Sequence, residues 1–183
     1  MSNKIVKLAV VLFLICAATA GVLGVVNALT WERIDYQSHQ KEYEAYAVVL
    51  DSASGYTEVE EFDHDTFPSI DKVLQSNDGN GHVVVSTFSG AQGSITMACG
   101  VGSDLTCTGI SIIEHSETSG LGAVAAASSS AGESFRAQFI GQGKDIALSS
   151  AGGLIDALAG ATITSTAVTN ATATSIAVVE SLA

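Results

Sequence analysis

From Leu8 to Leu29 the chain runs LAVVLFLICAATAGVLGVVNAL, 22 residues without a single charge. As a helix this run extends about 33 Å, enough to cross a hydrocarbon layer of about 30 Å. Lys4 and Lys7 precede it and are the only charged side chains before Glu32. Basic flanks stay on the cytoplasmic side, so the N-terminus is expected there. Trp31, just past the run, suits a lipid–water interface. A cleaved signal peptide is the rival reading, because Ala18-Thr19-Ala20 has the small-x-small form of a cleavage site. The apolar run continues nine residues past Ala20, which a cleaved leader does not need. A retained anchor is therefore favoured, with the rest of the chain outside the cytoplasm.

The charge balance changes sharply after the run. All 19 Asp and Glu residues lie beyond residue 30, accompanied by Arg33, Lys41, Lys72, Arg136 and Lys144, so that part carries a net charge of −14. So acidic a surface repels phosphate backbones, and nucleic-acid binding is not expected. An apolar fraction of 47% with 14% charged residues can bury a core, which excludes wholesale disorder. The length of 183 residues suits one domain of ordinary size besides the anchor. Three cysteines are too few for a dense disulfide scaffold or a four-thiolate metal site, and no metal-ligand spacing is legible. The organisation expected is a cytoplasmic stub and membrane helix over 1–30, a juxtamembrane helix over 31–51, and an α+β extracytoplasmic domain over 52–183.

Within the outer part, residues 31–50 lack Gly and Pro, and their composition favours a helix. Ile34, Tyr43, Tyr46 and Val49-Leu50 give it a partial apolar stripe. Residues 52–65 read as acidic and turn-rich. The segment 66–73 is ambiguous, with Pro68 suited to a helix start. Three strands follow as an antiparallel meander: His82–Ser89, Ser94–Val101 and Leu105–Glu114, joined by turns at Gly90–Gly93 and Gly102-Ser103-Asp104. A turn centred on Ser103 sets Cys99 opposite Cys107, within reach of a disulfide. Two half-buried free thiols are the other reading. Residues 123–132 read as a loop or weak helix, residues 133–138 as a helix with Phe135 and Phe139 in the core, and residues 144–149 as a short strand. A final helix over 165–182 has Val168, Ile176, Val179 and Leu182 on its apolar face.

Two segments stand out chemically. Asp156-Ala157-Leu158-Ala159-Gly160-Ala161-Thr162-Ile163-Thr164-Ser165 places small residues and hydroxyls where the final helix opens. Gly160 and Ala161 permit close backbone approach, and the first helical turn offers unpaired N–H groups and the positive end of a dipole, so the segment suits an anion. From this segment alone, a plain Ser/Thr cap after a glycine loop is the favoured reading. Glu114-His115-Ser116-Glu117-Thr118-Ser119-Gly120-Leu121-Gly122 follows the third strand and is dense in polar and small residues, as an ordinary surface loop can also be. No nucleophile–base pair is evident.

Together, EHSETSGLG at 114–122 and DALAGATITS at 156–165 resemble the FMN-binding domain of the G subunit of the Rnf electron transport complex, which is related to the C subunit of the sodium-translocating NADH:quinone reductase. The resemblance extends in outline over nearly the whole chain. It implies covalent FMN, attached by a phosphoester to Thr162 and installed by a separate flavin transferase. Glu117, Thr118, Leu121 and Gly122 would line the flavin pocket, Gly160 and Ala161 would shape the attachment turn, and Thr164 would lie beside it. Asp156 matches the transferase recognition pattern. Three departures stand: Ala159 where the family has Ser or Thr, which weakens transferase recognition; Ser119 where it has Pro; and Ser89-Gly90-Ala91-Gln92-Gly93 where it often has Gly-Tyr-Gly-Gly.

The function so implied is electron transfer within a membrane-bound ion-translocating oxidoreductase, between ferredoxin and NAD or a quinone-like acceptor, coupled by the complex to sodium or proton transport. One span cannot form an ion channel, so partner membrane proteins are required. Two other readings fit parts of the sequence: a stand-alone anchored flavoprotein serving an extracellular reductase, and a pilin-like surface protein without flavin.

Overall fold

The computed structural model describes residues 2–182, apart from the side chains of residues 2, 3, 32–36 and 38. The chain divides into two compact units, Met1–Gln40 and Lys41–Ala183. Helix α1, Ser2–Val49, opens in the first unit and supplies its last turns to the second. In the first unit the stretch Lys4–Trp31 is long and apolar enough to cross a membrane, and none of it is buried. Leu12, Phe13, Leu23 and Leu29 all stand exposed. A helix apolar on every side and uncovered by protein is suited to lipid rather than to a soluble core.

The second unit is built on a five-stranded antiparallel sheet in simple order: β1 Tyr56–Val59, β2 Ile70–Ser76, β3 Gly81–Ser89, β4 Ser94–Gly102 and β5 Cys107–His115. Both faces are covered, which explains why β3 reads as an unbroken Val83-Val84-Val85 run rather than an alternating one. Val83 and Val85 face one way and pack with Leu74, Ala98, the helix residues Ala45, Tyr46 and Val49, and Leu50 just past the helix. Val84 faces the other way, into a larger core with Met97, Val101, Ile110 and the two later helices. Those helices are α2, Ser130–Ala137, and α3, Thr162–Leu182. The hydroxyl of Ser129 caps α2 by accepting from the Gly132 N–H, and Phe135 and Phe139 meet edge-on beneath it, both buried.

The end of α1 enters the sheet at a pair of glycines. Gly100 and Gly109 are direct cross-strand partners. A Cβ on Gly100 would stand 2.3 Å from the Val49 carbonyl oxygen and 2.3 Å from the Thr108 hydroxyl. The Thr108 hydroxyl donates to that same Val49 carbonyl, and Tyr56 donates to Leu50 O. These bonds satisfy carbonyls that a helix C-terminus leaves without partners. Within the juxtamembrane helix expected over 31–51, residues from Lys41 onward belong to the second unit. Of the predicted stripe, Tyr46, Val49 and Leu50 are buried and Tyr43 is exposed. The Ile34 side chain lies outside the described residues.

Several expectations are corrected. The sheet has two further strands. β2 replaces the helix start proposed at Pro68, because Ile70, Val73, Leu74 and Ser76 all find burial in an extended chain. β1 crosses the acidic segment and pairs Tyr56 with Ser76. Residues 144–149 form no strand; Leu148 makes one isolated bridge, to Ile155. Helix α3 begins at Thr162, three residues before the predicted start.

The β4–β5 turn is longer than predicted, because Leu105 takes a left-handed conformation (φ 60°) and the Gly102 N–H bonds Thr106 O. A bulge between Gly100 and Val101 then shifts the register, so Cys99 pairs with Ile110 and Val101 with Cys107. The two cysteines are thus diagonal rather than opposite. They are buried free thiols with sulfurs 3.9 Å apart.

Two measurements follow from this packing. Gly100→Ala is expected to destabilise the domain by about 1–3 kcal/mol, the range for forcing atoms into a packed site, read as a lower denaturation midpoint of the solubilised protein. Thiol titration of denatured, unreduced protein is expected to return three free thiols; a count of one would mean that Cys99 and Cys107 are joined.

Candidate functional site

The two motifs, far apart in sequence, meet at the start of α3. The first descends from the end of β5. Its backbone tightens where Thr118 O accepts from the N–H groups of Leu121 and Ala123, with Gly120 in a left-handed turn at φ 77°. A short 3-10 turn at Gly122–Ala125 follows. Arg136, from α2, holds that turn from below by donating to Ala125 O at 2.6 Å and Ala127 O at 3.0 Å.

The second motif is a loop bent sharply at Gly160, whose φ of 72° suits glycine. A Cβ at Gly160 would stand 3.1 Å from Leu121 Cδ2, so the two motifs touch there. The bend is held by Ser165, which is wholly buried. Its hydroxyl donates to Ala161 O at 2.9 Å and accepts from the Leu158 N–H at 3.0 Å. Upstream, the Gln138 side-chain amide grips the backbone of Asp156, accepting from its N–H at 2.7 Å and donating to its carbonyl at 3.3 Å. The Asp156 carboxylate itself is exposed.

Thr162 is the first residue of α3, and its side chain is exposed. The first bond along the helix runs from the Ser165 N–H to Ala161 O. The N–H groups of Thr162, Ile163 and Thr164 therefore have no acceptor within the helix, and Ala161 offers no side-chain oxygen to cap them. An anion bonded to the Thr162 hydroxyl would meet those donors and the positive end of a 21-residue helix. Apolar surface is at hand as well: Ile163 is 66% exposed and Leu121 45% exposed. Hydroxyl, free N–H groups and apolar flank fit a flavin phosphate and its ring.

Thr164 and Glu117 face inward. Thr164 is buried and donates to Glu117 Oε2 at 2.5 Å. The other carboxylate oxygen, Oε1, accepts from the Gln92 N–H at 3.0 Å, in the β3–β4 turn. Two glycines make room for this carboxylate. A Cβ on Gly122 would lie 2.1 Å from Oε2, and one on Gly90 would lie 2.3 Å from Oε1. Burial alone raises the pKa of Glu117. The bonds from Thr164 and from the backbone N–H groups of Gln92 and Ala91, with His115 nearby, outweigh that effect and hold the carboxyl below its ordinary value.

The structure thus brings Glu117, Gly122 and Thr164 into one buried cluster, and Leu121 against the Gly160 turn. Thr118 contributes its carbonyl, while its side chain is exposed. Cys99 and Cys107 lie in the core. Sequence reasoning missed Gln138 and assigned no role to Ser165. An isolated Gln carries no signal, but a Ser inside a helix that opens on a glycine turn does.

A profile of the FMN-binding domain matches residues 90–177, and one of the RnfG N-terminal region matches residues 1–49. The G subunit of the ion-translocating oxidoreductase complex of Methanosarcina acetivorans is 33% identical over 177 residues, 93% of this chain and 92% of that one. The G subunit of the Na(+)-translocating ferredoxin:NAD(+) oxidoreductase complex of Acetobacterium woodii is 32% identical over 196 residues, 96% of this chain and 92% of its own. With both motifs in contact at the helix start, and similarity over nearly the full length, the chain belongs to the RnfG family, the G subunits of Rnf-type ion-translocating oxidoreductase complexes, with an FMN-binding domain.

Proposed function

We propose that this chain carries FMN in covalent linkage on Thr162 and relays electrons within a membrane-bound Rnf-type complex. The observation that carries the reading is the pairing of an exposed Thr162 hydroxyl with the free N–H groups of the first turn of α3. Among the hydroxyls at this turn, Thr164 is committed to Glu117 and Ser165 to Leu158 and Ala161, which leaves Thr162 as the acceptor accessible to another enzyme. The phosphoester forms between Thr162 Oγ1 and the flavin phosphate, and the hydroxyl proton is released. Condensation of free FMN with a hydroxyl is uphill in water, so the flavin transferase must use an activated donor, a flavin dinucleotide whose nucleotide half leaves.

Once attached, FMN supplies the electron-accepting and electron-donating chemistry. The residues of this chain hold it. Helix N–H groups stabilise the phosphate, an effect of about 0.3–1 kcal/mol for an exposed charge. Leu121 and Ile163 offer apolar surface to the ring. A covalent tether prevents loss of the cofactor on the outer side of the membrane, where α1 as an N-in anchor would place the domain. Electrons pass between ferredoxin-side centres and an NAD- or quinone-like acceptor, and multi-span partner proteins couple that flow to sodium or proton movement. The names of the relatives support this assignment. The alternatives of a stand-alone anchored flavoprotein and a flavin-free surface protein have no comparable support.

Denaturing electrophoresis with in-gel flavin fluorescence tests the linkage on full-length protein co-produced with a flavin transferase. The wild type and Thr162→Ser are expected to fluoresce, and Thr162→Ala is expected to lose the signal at unchanged abundance. A bare Thr162 peptide in the wild type by mass spectrometry would remove the basis of the reading.

A further inference from the structure

We propose that Glu117 is a positioning residue: its carboxylate clamps the 114–122 loop to the first turn of α3 through Thr164 and thereby sets Thr162 for flavin attachment, without touching the flavin. This rests on the assignment of Thr162 as the flavin-bearing residue.

The carboxylate is fully used inside the protein. One oxygen accepts from the Gln92 N–H and the other from the Thr164 hydroxyl, and the residue is 8% exposed. The backbones at Gly90 and Gly122 close over it so tightly that neither position admits a Cβ. No face remains for an isoalloxazine ring.

The behaviour of the other buried hydroxyls on α3 makes Thr164 distinctive. Ser165, Thr169, Thr172 and Ser175 each donate to the carbonyl four residues back. Such a bond satisfies a buried hydroxyl within four residues of its own position. Thr164 sits where that carbonyl belongs to Gly160, outside the helix, and donates instead to an acid 47 residues away in sequence. At 100° per residue, Thr162 and Thr164 project about 200° apart around the helix axis. Locking Thr164 inward therefore fixes Thr162 outward. Ser165 locks the same turn on its other side through Leu158 and Ala161. The clamp also seats Gly122, and with it Leu121, beside Gly160.

The test measures the rate of covalent flavin attachment to the full chain by a flavin transferase, alongside thermal unfolding and the absorption spectrum of the loaded protein. Glu117→Met keeps side-chain length and removes both acceptors; Thr164→Val keeps shape and removes the donor. Each is expected to slow attachment roughly 10- to 100-fold, the range of a lost charge-assisted hydrogen bond. The double variant is expected to be no slower than the slower single one, because both remove the same contact. Thr164→Ser, which keeps the hydroxyl, is expected to load as the wild type does. Flavin that does attach to Glu117→Met is expected to show the wild-type spectrum.

Wild-type loading rates in Glu117→Met, multiplicative losses in the double variant, or a shifted flavin spectrum would each overturn the clamp. If Glu117→Met fails to fold, the contrast between Thr164→Ser and Thr164→Val decides the matter, and equal loading of the two overturns the clamp. A wild type with no flavin on Thr162 instead sinks the parent assignment, which separates the two failures.

Discussion

A buried carboxylate has to be compensated within the protein, and Glu117 sets much of the local architecture through that need. Moving an ion out of water costs several kcal/mol unless donors replace its hydration. The replacements come from the turn after β3 and the first turn of α3, and Glu117 itself comes from the loop after β5. None of these segments is near another in sequence. The first turn of α3 and the two loops around it thus meet at the acid, and the glycines at 90 and 122 leave the space that it occupies.

The sheet obeys a different constraint. Its two faces are each too apolar to meet water, so each acquires a helical cover: α2 and α3 on one, the end of α1 on the other. The second cover requires a helix terminus to approach the strands closely. The Gly100–Gly109 pair permits the approach, and Thr108 and Tyr56 satisfy the carbonyls brought in. Helix α3 faces a related problem, since Thr164, Ser165, Thr169, Thr172 and Ser175 are buried on it. Bonds within the helix neutralise most of those hydroxyls, which lets a segment rich in Ser and Thr serve as a core element.

Much of this was legible in the residues. The uncharged run at 8–29 marked the long apolar helix, the Gly-rich turns marked the β3–β5 meander, and the two motifs are the segments that meet at the start of α3. What escaped had physical causes. β1 and β2 carry Asp, Glu and Lys on their exposed sides, and short strands of that kind resemble acidic loops until a neighbouring strand pairs with them. Register around Cys99 and Cys107 depended on a bulge and on Leu105 taking a left-handed conformation, which a Leu rarely signals. The side chain of Leu105 packs against the main core, which offsets the strain. The inward direction of Glu117 was invisible for a similar reason: an acid in a polar loop reads as solvent-facing until its partners in two other segments are known.

The two core thiols make the domain report on its own opening. Cys99 and Cys107 are almost wholly shielded, and the neighbouring thiol together with burial pushes Cys99 well above the usual thiol range. An alkylating reagent can reach them only when the strands and α3 part. Their labelling kinetics in the intact protein thus register how often the core breathes.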